Sequence, residues 1–275
     1  MTHTRKVGRE NSLNKYLLYI DILGFSDLVR TNPSKIDKIY KVINSLNVHR
    51  HHAFKTIVFS DTILVYNLDE PRNAHDHRYL VMFAIEFAQD LWFRTVGQEV
   101  FFRGILRYGP FDHYDLSNIT AFYGNALIDS YIKEKDLSCC GLFIDKSCHM
   151  YNDIFPTVRY DEDISFVYFN QSLERLKTNT DNYLDALSVL DSTEDYWSIL
   201  WDLRYLRDIY RLMMNHKDAR VRGKYLTTWH FYRLRYRNVL DALEISDFSP
   251  KVICSEFDWT EMVKTFAEQT ESWVD

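Results

Sequence analysis

The segment YLLYIDIL at Tyr16–Leu23 constrains this chain more than any other. Apart from one aspartate it is wholly aliphatic or aromatic, and Gly24 follows it directly. A run that short reads as a buried strand. Asp21 is then out of place, because a carboxylate among apolar neighbours loses its hydration without compensation. Such a residue is paired, bonded at a turn, or holds a cation. A second aspartate repeats the pattern. In FKTIVFSDTILVYNL (54–68), Ser60-Asp61 divides two β-rich runs and predicts the tip of a hairpin.

The surrounding periodicities place both residues. Residues 24–47 have helical spacing broken near Pro33, and 78–95 are strongly helical. Residues 99–109 read as a strand ending in glycine, 123–137 as a helix opened by Gly124-Asn125, and 141–148 and 164–169 as further strands. This order predicts an α+β, ferredoxin-like (βαββαβ) domain extended by another helix and strands. In that topology strand 1 neighbours the hairpin, so Asp21 and Asp61 converge. Singly, each aspartate reads as a turn residue. Together they make a hard-oxygen site suited to Mg²⁺ or Mn²⁺. Gly24 permits a tight turn into a helix whose first amides can receive a triphosphate. After residue 172 the text changes. Residues 173–245 carry two helical stripes, one through Trp197, Trp201 and Ile209, the other through Tyr225, Trp229 and Tyr236. We therefore divide the chain into a domain at 1–172 and a helical appendage at 173–275, which would form a small domain or a dimer-forming arm.

Composition bounds the function. In 275 residues, 46% are hydrophobic and 16% aromatic, enough for a sizeable core. A net charge of −6 disfavours a nucleic-acid partner. No apolar run is long enough to span a bilayer, and the N-terminal MTHTRKVGREN lacks the apolar stretch of a signal peptide. The four cysteines form neither a disulfide framework nor a zinc pair, so a reducing, cytoplasmic setting is expected. HRHH at 49–52 reads as a solvated basic patch, Cys139-Cys140 as packing residues, and the arginines between Arg204 and Arg237 as stems laid over aromatics. GxxxxGK[ST], GxGxxG and HExxH are absent.

Four stretches in order resemble the class III nucleotidyl cyclases. YIDILGFSDL matches their first metal motif, D-[IV]-x-G-F-[ST]. IVFSDTILVY resembles the second metal-aspartate hairpin, with Ser60 in place of its glycine. FRGILRYGP resembles the strand after the second helix, and FYGNALIDSYIKEKDL the dimer-facing helix. The resemblance covers roughly 16–170 and implies catalytic Asp21, Asp61 and Arg103. It implies two Mg²⁺ or Mn²⁺ ions per site, on Asp21, the Ile22 carbonyl and Asp61. Gly24 and Phe25 would hold phosphates, and Ile57, Phe59, Ala121, Tyr123 and Lys133 would line the substrate. Departures are specific. Ile57 and Ala121 stand where adenine is selected, and Ile128 and Ile132 stand at the family's asparagine and transition-state arginine. Asp129 and Lys133, one residue later, substitute after a register shift; otherwise Arg103 or Arg107 supplies the positive charge. We favour Arg103, because Gly104 leaves room beside it.

Kept metal aspartates with lost purine determinants are similar to the pyrimidine cyclases of bacterial anti-phage Pycsar systems. That resemblance implies a homodimer with active sites at its interface. It also implies conversion of UTP or CTP to cUMP or cCMP, which activates an effector protein. A purine cyclase with an atypical base pocket and an inactive nucleotide-sensing or dimerisation module remain as alternative expectations.

Overall fold

The structure, a computed structural model, describes residues 13–170, 172–174 and 193–271. The N-terminal stretch and residues 175–192, where the sequence places the start of the appendage, lie outside the described residues. Strand β1 (Asn14–Ile22) is followed by helices α1 (Phe25–Thr31) and α2 (Pro33–Asn44), with the expected break at Pro33. Asn32 caps α2, its side chain accepting from the Lys35 amide, while Pro33 occupies the first turn, where its missing N–H costs nothing. The hairpin is β2 (Phe54–Phe59) and β3 (Thr62–Asn67), and α3 (Ala74–Thr95) leads into β4 (Phe102–Pro110). A small hairpin, β5 (Asp112–Asp115) and β6 (Thr120–Tyr123), precedes α4 (Asn125–Asp136) and β7 (Gly141–Asp145). Then come a single turn α5 (Lys146–His149), β8 (Thr157–Arg159) and β9 (Ile164–Val167). Three helices finish the chain: α6 (Thr193–Asn215), α7 (Ala219–Ile245) and α8 (Thr260–Glu271).

Seven strands form one sheet in the order β2-β3-β1-β4-β7-β9-β8. The first four strands by sequence give β2-β3-β1-β4, all antiparallel, which is the ferredoxin-like half. The sequence misses the β5–β6 hairpin and β8, whose runs of three or four residues are too short to show a period.

Strand pairing assigns the two faces. One row of side chains crosses every strand: Ile57, Leu64, Tyr19, Ile105, Phe143, Phe166 and Val158. The next row on that face runs Phe59, Thr62, Asp21, Arg103 and Gly141. Helix α3 lies on the opposite face, where the Tyr16 hydroxyl meets Nδ1 of His77 at 2.5 Å. Helices α4 and α7 lie on the Asp21 face: Glu134 pairs with Arg103, and Phe231 stacks on Phe166 at 4.9 Å.

The core is continuous from the sheet into the terminal helices, joining Ile20 and Leu142 with Leu206 and Trp229. Arg235 of α7 lies over Tyr168 and bonds Glu174, and Arg204 pairs with Asp208, so these arginines do serve as stems over aromatics and in ion pairs. HRHH differs from its expectation. His51 reaches the Tyr79 hydroxyl at 2.7 Å and packs among Phe54, Phe83 and Phe87, because an imidazole offers a flat apolar body behind its polar edge. Among the described residues no helix is long and apolar enough to cross a membrane.

Candidate active site

Asp21 sits at the penultimate position of β1, opposite Thr62 of β3 and Arg103 of β4. Asp61 lies in the two-residue turn that joins β2 to β3, and its carbonyl accepts from the Ile22 amide at 2.9 Å. That bond fixes the hairpin tip against the end of β1 and brings the aspartates together, as the topology predicts. The turn has a local cost. Ser60 adopts φ 54°, a left-handed conformation that costs a residue with a Cβ about 1–2 kcal/mol. Glycine would adopt it freely. The Tyr40 hydroxyl of α2 steadies the turn by donating to the Ser60 carbonyl at 3.0 Å.

The electrostatics centre on Arg103. Its Nη2 lies 3.3 Å from Asp21 and also pairs with Glu134 of α4, while its Nη1 donates to the Leu137 carbonyl at 2.9 Å. Burial pushes the Asp21 carboxyl above its ordinary range, Arg103 draws it back, and the charge of Asp61 pushes it further up. Glu134 is pushed up to about 7, first by burial and then by Asp21. Asp21 and Glu134 therefore share one guanidinium in a partly desolvated place, with the charge of Asp61 close to Asp21. This is an arrangement that a divalent cation relieves.

The donor set fits such an ion. Among the described residues no three His, Cys, Asp or Glu side chains could hold a metal by themselves. Two carboxylates with a backbone carbonyl form the sort of half-shell that Mg²⁺ completes with water and phosphate oxygens. Asp21, Asp61 and the Ile22 carbonyl would be its protein ligands.

The remaining expected residues are placed unevenly. Gly24 has φ 73° and opens α1, a conformation that glycine supplies without strain. Phe25 is buried against Tyr40, with ring centroids 6.1 Å apart. Ile57 and Phe59 share the Asp21 face. Ile57 packs against the small cluster of Leu17, Tyr19, Leu64 and Tyr66, and Phe59 is 74% exposed. Thr56, a neighbour of Ile57, pairs with Val65 and so belongs to the α3 face. Ala121 and Tyr123 lie in the separate β5–β6 hairpin, where Tyr123 meets Tyr114 edge to face. Lys133 pairs with Asp161 at 2.7 Å, and Arg107 with Asp145 at 3.2 Å and Asp129 at 3.6 Å. The reason given for Arg103 also changes. A Cβ on Gly104 would meet Ile20 and Leu142 at 3.2 and 3.3 Å, so this glycine makes room in the core on the far face, not beside a ligand. The adjacent cysteines are buried as expected, and burial pushes the Cys140 thiol up to about 11.

No family model matches the chain. No curated protein matches it either. Solved structures similar to it include an adenylyl cyclase from P. aeruginosa, at 11% identity and a TM-score of 0.42, over 57% of this chain and 95% of that one. The monomeric guanylyl cyclase domain of a rhodopsin fusion protein from the aquatic fungus Blastocladiella emersonii matches at 14% identity and a TM-score of 0.45, over 57% and 95%. A bacterial light-regulated adenylyl cyclase matches at 11% and 0.44, over 58% and 92%. At that distance the likeness says nothing of activity, which rests on the residues of the site.

Proposed function

We propose that the chain is a nucleotidyl cyclase that converts a pyrimidine nucleoside triphosphate, UTP or CTP, to its 3′,5′-cyclic monophosphate and pyrophosphate. The observation that carries this reading is the placement of Asp21 and Asp61 at adjoining strand ends of a ferredoxin-like sheet, tied by the Ile22–Asp61 hydrogen bond. Mg²⁺ or Mn²⁺ on Asp21, Asp61 and the Ile22 carbonyl would supply charge neutralisation at the phosphates and acidify the ribose 3′-hydroxyl. The 3′-oxygen then attacks the α-phosphorus in line and pyrophosphate leaves. Asp21 and Asp61 fix the approach of the triphosphate, and the Gly24–Phe25 turn receives its terminal phosphates. Arg103, held by Glu134 and the Leu137 carbonyl, orients Asp21. Ile57, beside Leu64 and Tyr19, offers an apolar wall with no side-chain donor or acceptor for a purine edge. This supports a pyrimidine over adenine.

The apolar surface supports a second copy of the chain as partner. Phe59 is 74% exposed, and Ile128, Tyr131 and Ile132 on the outer side of α4 are 48–56% exposed. Pairing two copies over these residues would close the site between subunits. By the same resemblance, the product would act on an effector protein in anti-phage defence.

Incubation with ATP, GTP, CTP and UTP separately, with Mn²⁺, tests the reading by assay of cyclic product. cUMP or cCMP is expected. No cyclic product from any of the four defeats the enzyme assignment in favour of a nucleotide-sensing module, and purine products alone defeat the pyrimidine assignment.

A further inference from the structure

Three cations on the Asp21 side of the sheet are already engaged. Arg103 serves Asp21, Glu134 and the Leu137 carbonyl, Arg107 serves Asp145 and Asp129, and Lys133 serves Asp161. Helix α4 carries Ile128 and Ile132 on its outer side. A triphosphate bound at Gly24 would still need positive charge that is not already committed.

The terminal helices provide it. Thr228 of α7 is fully buried, and its hydroxyl oxygen accepts from the Cys140 amide at 2.9 Å. Cys140 precedes Gly141, which pairs with Arg103 in the Asp21 row. Helix α7 is thus fastened beside that row. Tyr225 fixes its other side by packing edge to face on Phe101 at 5.2 Å, and the Phe101 carbonyl accepts from the Leu23 amide at 2.8 Å, next to the Gly24 turn. Lys224 lies one turn before Thr228 and so on the same side of the helix. It is half-buried and within electrostatic reach of Asp21, Glu134 and Arg103. No carboxylate among the described residues is paired with it. An ammonium on a flexible stem suits a polyphosphate, whose charge is spread over several oxygens.

We propose that Lys224 of the appended helix α7 binds the polyphosphate of the substrate, supplying from this chain's own appendage a cation that no carboxylate among the described residues holds. The assignment rests on the cyclase reading for its substrate, and on the placement of α7 for its residue. It gives the terminal helices a part in the site as well as in the core.

Titration calorimetry with inorganic tripolyphosphate and Mg²⁺ separates the two. Lys224→Met should weaken binding by about tenfold or more, Lys224→Arg should recover most of it, and both variants should unfold near the wild-type temperature. Steady-state kinetics should show Lys224→Met acting on KM and kcat together, a change that a purely structural lysine would not produce without a fall in thermal midpoint. On the wild-type protein, tripolyphosphate with Mg²⁺ should shield Lys224 from acetylation as read by mass spectrometry. That readout needs no variant to fold. Wild-type affinity in Lys224→Met, no tripolyphosphate binding by the wild type, or undiminished acetylation of Lys224 would each overturn the proposal. A wild type that makes no cyclic nucleotide yet binds tripolyphosphate through Lys224 would overturn the cyclase reading and leave this one standing.

Discussion

The row of side chains that crosses the sheet ends in two different environments. Toward the β8 edge, Phe166 on β9 is 1% exposed and stacks on Phe231 of α7 with an interplanar angle of 14°. At the β2 end, Ile57 is half-buried and its strand neighbour Phe59 stands 74% exposed. Residue type does not explain the difference, since both ends are apolar. Helix α7 covers the first end, and α4 meets the second through Ala126, in the cluster that Ile57 packs against. The uncovered stretch is where Asp21 and Asp61 meet. On the cyclase reading, a carboxylate pair that takes a cation and a triphosphate is left open on one side, even with Glu134 of α4 beside it. The apolar side chains around it are the ones that the proposed ligand and second subunit would cover.

The contrast breaks most directly at the carboxylates. Asp61→Asn should lower turnover by at least about a hundredfold, the scale on which a single electrostatic group at a reacting phosphate acts, with thermal unfolding unchanged. A variant that keeps wild-type cyclic-nucleotide production would remove Asp61 from the metal site. At the covered end the effect should fall on stability. Phe166→Ala should cost about 3–5 kcal/mol in urea unfolding, because it opens a cavity under Phe231. At the open end, Phe59→Asp should leave monomer stability within about 0.5 kcal/mol and weaken self-association more than tenfold by sedimentation equilibrium. If Phe59→Asp destabilised the monomer as much as Phe166→Ala, the β2 end would be core and the comparison would fail.

What the sequence carried, and what it did not, follows the same division. The ferredoxin-like half was legible because β1, the β2–β3 hairpin and α3 announce themselves by periodicity, and because Asp21 and Asp61 interrupt apolar runs. The convergence of those aspartates follows from topology alone. Glu134 was visible only as a motif position. That it competes with Asp21 for Arg103 depends on how α4 lies across β1 and β4, which no local pattern encodes. Lys224 is further still from any sequence signal. It lies 203 residues after Asp21, and its helix is placed beside the site by Thr228 on Cys140 and Tyr225 on Phe101. The reading of Gly104 failed for a related reason: the residue next to Arg103 in sequence faces the other side of the sheet, as period two requires.

A second buried aspartate offers the finest test of why Asp21 is unusual. Asp202 of α6 is 3% exposed and is bonded by neutral partners, Asn170 at 2.7 Å and the Ser172 hydroxyl. Burial pushes its carboxyl up to about 8, against hydrogen bonds from Asn170 and the Leu173 backbone that draw it down. The native state then keeps a proton that the unfolded chain gives up near pH 4. Stability from this group is complete below that pH and declines as pH rises toward about 8, because above pH 4 the folded protein binds more protons than the unfolded one. Asp202→Asn keeps the shape and the acceptor for Asn170 but has nothing to titrate, so its thermal midpoint should fall less steeply between about pH 4 and 8 than that of the wild type. Parallel slopes would show that Asp202 is already ionised in the fold. Burial alone would then not hold a proton on an aspartate in this protein, and the raised carboxyls at Asp21 and Glu134 would have to be ascribed to their mutual repulsion.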